Sequence, residues 1–341
     1  MDGIPVGVSY VLPLKTSVPL VTREFSDYLA WLAPNVGEVI VVDASPPDVF
    51  AIHHESWGSG INHVPPTMDL ATPMGKVGNV LTGARLARFD RLVIADDDVR
   101  YDAASLAQVA SALVDADIVR PQNYFDPLPW HARWDTGRML LNRSTGGDWP
   151  GTIGVRLDIL RATGGYDGRA LFENLELVRT VLAAGGNERV LLGAYVRRRP
   201  STTSHFWSQR VRQAYDEIAR PARLAIQLAI LPAVGALAVT GHWVILAVLV
   251  AGVVGLAEVG RWRAGGRRFF PVTGSLFAPL WVAERAVCSW IAVASRVFLG
   301  GVPYRGTILR HAATPLHKLQ ARYENAHTIT SADHTPRRQS A

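Results

Sequence analysis

The sequence predicts an α/β domain, with a mixed, mainly parallel sheet covered by helices on both faces, followed by a helical membrane region. Two observations carry this prediction. Short β-branched apolar runs alternate with helical patterns over roughly the first two thirds of the chain. The residues after Arg223 are far more apolar than those before it. Cys288 is the only cysteine among the 341 residues, so no internal disulfide is expected.

The elements follow one another in the order that a parallel sheet needs. Apolar runs predict strands at residues 6–12, closed by Pro13, at 38–42 and at 92–95. Helical spacing predicts helices at 25–32, with Ser26 as a cap, and at 75–87, 103–114 and 171–182. Glycines at 164–168 indicate a turn before the last of these helices.

Polar residues gather where the predicted strands end. Asp43 follows the second strand, and Asp96, Asp97 and Asp98 follow the third. Ligands bind at the carboxyl ends of parallel strands, and adjacent carboxylates are tolerated when a hard cation lies among them. An isolated aspartate triplet is more often a solvated turn, but the convergence with Asp43 favours a cation site. Neither GxGxxG after the first strand nor GxxxxGK[ST] is present, so a bound nucleotide needs a metal and cationic side chains instead.

Five segments in this order carry a resemblance to a known family. They are VIVVDAS, GKVGNVLTG, VIADDDV, GGYDGRALFENLEL and SQRVRQ. Together they resemble the family 2 inverting glycosyltransferases of GT-A fold, of the membrane-attached, ceramide-glucosyltransferase-like or processive kind. The resemblance covers roughly residues 4–215.

The resemblance implies a donor site for a nucleotide sugar, most simply a UDP-sugar, and a divalent metal, Mg²⁺ or Mn²⁺. The implied donor-binding residues are Asp43, Lys76, Asp96, Gln209 and Arg212, and the implied metal ligands are Asp98 and Asp96. Gln213 replaces the tryptophan that ends the family's Q-x-x-R-W motif. Each residue also has a plainer interpretation: a turn aspartate, a surface lysine, or a basic helix on anionic headgroups. The basic run 197–199 and Arg210 fit the headgroup interpretation as well.

The catalytic base departs from the family pattern. Asn174 stands where the resemblance implies an aspartate that deprotonates the acceptor hydroxyl, and an amide cannot take up that proton. Glu173 and Glu176 are the remaining carboxylates, and we expect Glu173, at the helix start, to be the substitute. The alternative is a catalytically degenerate membrane protein that keeps the fold as a binding or assembly module.

An aromatic segment, expected to be rich in loops, lies between these motifs. It contains Trp130, His131, Trp134, Asp135 and Trp149. Such side chains suit sugar stacking or a lipid-facing channel, and they suit the core of a large domain equally well. We expect His131 to be a buried hydrogen-bonding histidine rather than a catalytic group.

The apolar part of the chain predicts a membrane hairpin. Residues 224–239 and 243–259 are two short spans, joined by a turn without Lys or Arg and flanked by arginines, so both ends are expected in the cytosol. Residues 274–298 carry Arg285, Ser289 and Arg296 on one helical face, opposite Val287 and Ile291, which favours an interfacial helix over a third span.

These segments divide the chain into three parts: a cytosolic catalytic domain (1–219), a membrane region (220–300) and a cytosolic tail (301–341) that is disordered from about residue 331. We expect a multi-pass protein of the plasma membrane and cell envelope. Its expected partners are a nucleotide-sugar donor and a lipid or lipid-linked acceptor, because the site lies beside the membrane. The net charge of +6 resides around the spans, where anionic lipid explains it, so no nucleic acid is expected.

Overall fold

The protein is built around one eight-stranded sheet, within the residues that the computed structural model describes, 6–304 and 307–333. In chain order the strands are β1 Val6–Leu14, β2 Val36–Asp43, β3 Ile61–Val64, β4 Arg91–Ala95, β5 Val99–Arg100, β6 Ile118–Phe125, β7 Thr152–Arg156 and β8 Glu188–Arg198. Across the sheet their order is β3-β2-β1-β4-β7-β6-β8-β5. Four neighbouring pairs are parallel and three are antiparallel, which confirms the mixed, mainly parallel sheet.

Helices cover both faces of this sheet. Those of the first domain are α1 Arg23–Asn35, α2 Pro47–Ser56, α3 Gly75–Leu86, α4 Ala103–Ala112, α5 Trp130–Thr145, α6 Leu157–Ala162, α7 Glu173–Ala183, α8 Thr203–Ser208 and α9 Arg210–Tyr215. Alternate residues of β1 face opposite sides, as the two-residue period of a strand requires. Tyr10 and Leu12 pack with α1 and α4, whereas Val11 packs with α3, α6 and α7.

Three local predictions differ from the structure. Pro13 does not close β1 but lies inside it, paired with Val42 of β2. Proline is tolerated here because the pairing of β1 with β4 has already ended at Val11, so its missing N–H leaves no hydrogen bond of the sheet unmade. The cap of α1 is Thr22, whose hydroxyl accepts from the Phe25 N–H, and not Ser26. The aromatic segment expected to be rich in loops contains the sixteen-residue helix α5.

In the described part of the chain, three later helices are long and apolar enough to cross a membrane. The C-terminal elements are α10 Pro221–Val239, α11 Trp243–Trp262, α12 Val272–Leu276, α13 Ala278–Phe298, α14 Leu316–Asp333 and the hairpin strands β9 Val302–Tyr304 and β10 Thr307–Leu309. Only 6% of the apolar window in α10 is buried, against 39% in the Val272–Phe298 segment. The first two helices therefore expose apolar side chains almost all round, whereas the third is buried against the protein on one side and exposed on the other.

Helix α11 is joined to the first domain through α5. A Cβ added to Gly260 would lie 1.9 Å from the Leu140 carbonyl oxygen, so only glycine permits this approach. The fully buried guanidinium of Arg143 donates to the carbonyls of Gly260 at 3.2 Å and Arg263 at 2.8 Å, at the end of α11. The last carbonyls of a helix need such donors, so Arg143 fixes the end of α11 to the domain.

Helix α13 has the polar face that the sequence predicts, but this face is turned towards the protein. Arg285 and Ser289 are 2% and 0% exposed, and Ser289 Oγ donates to Gln227 on α10. Val287 and Ile291 on the opposite face are 46% and 47% exposed. The polar side chains bind neighbouring helices rather than lipid headgroups, and whether α13 lies in the interface or spans the bilayer stays a prediction.

The predicted tail is helical over much of its length. Helix α14 runs to Asp333, past the position where disorder was expected to begin. Residues 334–341, which carry the rest of that expectation, lie outside the described residues.

Candidate active site

Charged side chains from four elements meet at the carboxyl end of β4. Asp96 follows this strand directly, and its N–H donates to the Gly151 carbonyl at 2.9 Å. Lys76 stands at the start of α3, Glu173 at the start of α7, and Arg198 at the end of β8. Four segments that are distant in sequence thus share one cleft.

Lys76 connects two of the predicted site residues. Its Nζ lies 2.5 Å from Asp96 Oδ1 and 2.8 Å from Glu173 Oε1. Burial opposes the charged form of Lys76, but the carboxylates of Asp96 and Glu173 outweigh it and hold the pKa well above the ordinary value. A permanently cationic Lys76 therefore stands between the aspartates and the start of α7.

The paired aspartates have a second cation that sequence reasoning placed elsewhere. Arg198 Nε donates to Asp98 Oδ2 at 2.9 Å, and its Nη2 lies 3.6 Å from Asp96 Oδ2. This arginine belongs to a basic run, 197–199, that the sequence suggested for a membrane surface. Arg198 lies in the site instead, because the antiparallel pairing of β8 with β5 places Arg198 opposite Val99, next to Asp98.

Asp96 and Asp98 also have the donor chemistry that a divalent cation needs. Carboxylate oxygens are the ligands that Mg²⁺ and Mn²⁺ prefer. Asp98 Oδ1 is buried and has no hydrogen-bond partner, and burial raises the pKa of this carboxyl although Arg198 opposes it. Asp97, between them in the sequence, is exposed. The residues present thus fit the predicted metal, and the two-aspartate assignment stays a prediction.

Asp43 lies at the end of β2, but its carboxylate is occupied by neighbouring side chains. Oδ2 accepts from His53 Nδ1 at 2.7 Å and His63 Nε2 at 3.1 Å, and Oδ1 accepts from the Ser45 N–H at 2.9 Å. Burial alone would raise its pKa, but the hydrogen bonds from His63, Ser45 and His53 lower it to about 2. With a residue exposure of 1%, Asp43 has no free face, so its contact with a donor nucleotide stays a prediction.

The two candidate bases have different surroundings. Glu173 faces the cleft beside Lys76. Glu176 is fully buried, and its Oε2 accepts from the Thr314 N–H at 2.6 Å, so it anchors the C-terminal segment. Asn174 Nδ2 donates to the Pro150 carbonyl at 3.1 Å, which gives this amide a structural contact. Of the two glutamates, only Glu173 reaches the cleft.

A third candidate base, Asp216, lies close enough to Glu173 for the two negative charges to interact. It begins the 3₁₀ segment Asp216–Ala219, directly after α9, and its Oδ1 is buried without a partner. Burial raises its pKa to about 7; Arg212 and Arg220 oppose the shift, and the nearby charge of Glu173 adds to it. Sequence reasoning missed Asp216 because the motif resemblance ends at Gln213 and nothing local marks an aspartate beyond it.

The segment containing Gln209 and Arg212 is split into α8 and α9 at Gln209. Gln209 Oε1 and Arg212 Nε are buried without partners, and the Arg212 guanidinium lies 5.4 Å from the Tyr304 ring centroid. The neighbouring Arg210 is only 3% exposed and pairs with Asp135 at 2.8 Å. The predicted basic face for lipid headgroups is therefore divided, since Arg210 lies inside the protein.

The aromatic residues pack against one another on α5 and α8. Trp130 lies 5.7 Å from Phe206 and 6.1 Å from Trp207 between ring centroids. His131 Nε2 contacts the Ser201 carbonyl at 2.8 Å, and its side chain is buried. This is the hydrogen-bonding role expected for His131, while the exposed fractions of Trp130 and Trp207, 42% and 49%, leave aromatic surface open.

No protein-family model matches the sequence, and no curated protein matches it. Solved structures with a similar fold include a mannosyltransferase from Pyrobaculum calidifontis in complex with GDP-Man and Mn²⁺, with 18% identity, coverage of 83% of this chain and 86% of that one, and a TM-score of 0.47. Mannosyl-3-phosphoglycerate synthase from Rubrobacter xylanophilus has 15% identity, coverage of 60% and 70%, and a TM-score of 0.40. Glucosyl-3-phosphoglycerate synthase from Mycobacterium tuberculosis, in complex with phosphoglyceric acid, has 16% identity, coverage of 58% and 74%, and a TM-score of 0.39.

Proposed function

We propose that the protein transfers a sugar from a nucleoside-diphosphate sugar, most simply a UDP-sugar, to a lipid or lipid-linked acceptor, with inversion at the anomeric carbon. The observation that carries this proposal is the double contact of Lys76. Its ammonium group joins the aspartate pair, where the diphosphate would bind, to Glu173, where the acceptor would be activated. The motif resemblance supports the same division of the cleft.

On the donor side, this chain supplies cations and paired carboxylates. Lys76 and Arg198 are placed to neutralise a diphosphate, and the planar fork of Arg198 can donate two hydrogen bonds to it. Asp96 and Asp98 would hold the divalent cation, which when bound supplies Lewis-acid stabilisation of the leaving diphosphate. Lys76 would then exchange its contact with Asp96 for one with the donor.

On the acceptor side, a carboxylate must take the proton of the attacking hydroxyl. Glu173 is ion-paired with Lys76, whereas Asp216 has an unpartnered oxygen and a pKa of about 7, which suits a general base at neutral pH. We therefore propose that the base is one of these two, with Asp216 favoured. Attack on the face opposite the leaving group inverts the anomeric configuration.

The apolar helices support a lipid acceptor. Helix α13 begins at Ala278, against which a Cβ on Gly137 of α5 would lie at 2.9 Å, and its Arg285 lies 3.4 Å from Gln213 at the end of α9. The helices that would contact lipid thus adjoin the segment of Gln209 and Arg212, which we propose lines the site. We propose a multi-pass protein of the plasma membrane, with its catalytic domain in the cytosol and the arginines that flank α10 and α11 on the same side.

The decisive experiment is a screen of nucleotide sugars with purified protein and extracted lipids in the presence of Mn²⁺, followed by extraction of the product. We expect a lipid-soluble glycoside of inverted configuration. Asp98→Ala should lower transfer by at least 100-fold, whereas Asp115→Ala, at an exposed position, should leave it unchanged. Undiminished transfer by the Asp98 variant would refute the metal assignment, and a water-soluble product would refute the lipid acceptor.

A second candidate function is a non-catalytic binding or assembly protein. It is favoured by Asn174, whose amide is committed to the Pro150 carbonyl in place of an acidic group. Such a protein would bind a nucleotide sugar in a metal-dependent manner but neither transfer nor hydrolyse it. Transfer that is lost in Glu173→Gln or Asp216→Asn would exclude this function.

A further inference from the structure

Three histidines lie near Asp43 at the end of β2, two strands away from β4 and the cleft at its end. His53 and His54 lie on α2, and His63 lies on β3, which pairs in parallel with β2. Asp43, His53 and His63 offer ligand atoms within 4.8 Å of one another. The hydrogen bonds decide which of these nitrogens can bind a cation.

His53 has no free nitrogen. The Leu20 N–H donates to its Nε2 at 2.7 Å, so the ring proton resides on Nδ1 and is donated to Asp43 at 2.7 Å. His53 is also fully buried and stacked on Trp57, with ring centroids 4.4 Å apart. Asp43 and His53 are therefore a closed pair and not two ligands.

His63 is held in the opposite way. Its Nε2 lies 3.1 Å from the ionised Asp43 carboxylate and must carry the proton, which leaves a lone pair on Nδ1. That Nδ1 lies 3.3 Å from Nδ1 of His54, whose side chain is exposed. Phe50 stacks on both rings, with centroids 4.1 Å from His63 and 6.2 Å from His54. Two like nitrogens thus face each other, one with its tautomer fixed by a carboxylate.

The spacing suits a tetrahedral metal ion. Two imidazole nitrogens bound to one Zn²⁺ at about 2.05 Å and at the tetrahedral angle stand about 3.3–3.4 Å apart. The ring centroids are 5.5 Å apart, and tetrahedral ligation asks for about 5.2 Å, a closure of about 0.3 Å. An N–H···N hydrogen bond between the two rings is the competing arrangement at this distance, and a Zn²⁺ titration distinguishes the two.

We propose that His54 and His63 form a Zn²⁺ site through their Nδ1 atoms, oriented by Asp43 and completed by water. The site differs in chemistry from the aspartate pair, since imidazole nitrogen selects Zn²⁺ where carboxylate oxygen selects Mg²⁺ or Mn²⁺. Because one ligand lies on α2 and the other on β3, bound Zn²⁺ clamps this helix to the edge strand.

The test is a Zn²⁺ titration of the full-length, tag-free, chelator-treated protein in detergent, against a competing chromogenic chelator. We expect one Zn²⁺ per chain and a rise in thermal midpoint with Zn²⁺. His54→Ala should abolish both, and Asp43→Asn should weaken binding by about 10- to 100-fold through the freed tautomer. His242→Ala, an exposed histidine on the α10–α11 turn, is the control and should bind as the wild type does.

Retention of wild-type Zn²⁺ affinity in His54→Ala would overturn the proposal. Because the His54 side chain is exposed, its removal should leave the fold intact, and circular dichroism checks this. A site that binds Mn²⁺ in preference to Zn²⁺ would overturn it as well, because two imidazoles do not favour Mn²⁺. Neither outcome depends on whether the protein transfers sugar.

Discussion

Replacing Asp216 by asparagine should stabilise the protein above neutral pH while it removes sugar transfer. The Asp216 carboxyl has a buried oxygen without a partner, and burial raises its pKa from 3.8 to about 7. A carboxylate held in this way is costly to the fold. Groups of this kind are retained at sites where the proton itself is used.

The sign of the effect follows from the two pKa values. Between pH 3.8 and about 7 the folded protein keeps a proton that the unfolded chain has lost, so stability falls as pH rises through this window and levels off above it. The full shift sets a ceiling of about 4 kcal/mol, at 1.36 kcal/mol per pKa unit. Asparagine has the shape of the protonated acid but does not titrate. The free energy of unfolding of Asp216→Asn should therefore exceed that of the wild type by about 1–2 kcal/mol at pH 5, and by an amount approaching that ceiling at pH 8.

The measurement is the free energy of unfolding of full-length wild type, Asp216→Asn and Asp115→Asn in one detergent from pH 5 to pH 8. Asp115 is exposed in a turn and serves as the matched aspartate control. In a transfer assay at pH 7, Asp216→Asn should lose about 100- to 10,000-fold in rate. Equal pH slopes for wild type and Asp216→Asn would refute the buried-acid reasoning, and full activity of that variant would refute the catalytic role.

Two further predictions concern how α11 is attached to the domain, and thermal unfolding in detergent checks both. Gly260→Ala should destabilise the protein by about 1–3 kcal/mol, because the added Cβ would lie 1.9 Å from the Leu140 carbonyl oxygen. Gly255→Ala on the same helix is the control and should be neutral, because no atom lies within 4 Å of a Cβ added there. Arg143→Met should cost about 3 kcal/mol or more, because it leaves the carbonyls at the end of α11 without donors in the interior; a loss below about 1 kcal/mol would show that water replaces the guanidinium.

The parts of the fold that could be predicted are those with local signals. Strands β1, β2 and β4 are apolar runs bounded by turn residues, and α3, α4 and α7 carry helical spacing. Strands β6 and β8 were missed because their polar residues are buried through distant partners. Asn123 Nδ2, for example, donates to the Val196 carbonyl, and Arg120 lies over the Trp149 ring with a centroid distance of 4.0 Å. No local sequence pattern predicts such long-range contacts.

The same division applies to the site. Asp96, Asp98 and Lys76 could be singled out because each follows a strand end or begins a helix in a motif. The contact of Lys76 with Glu173 spans 97 residues, and the arrival of Arg198 depends on the pairing of β8 with β5. Residues that act through tertiary pairing were therefore assigned to a surface or not noticed at all.

The orientation of α13 links the apolar helices to the carboxylate proposed as the base. A helix whose polar face bound lipid headgroups could move independently of the domain, but Arg285 and Ser289 are buried against α9 and α10. Burying Arg285 is costly unless neighbouring groups compensate, and its guanidinium donates to the Arg210 carbonyl and to Gln213 Oε1. Since α9 leads directly into the segment that begins at Asp216, a displacement of α13 would also displace the carboxylate proposed as the base. The apolar helices that we propose as membrane anchors would therefore also hold the proposed base in place.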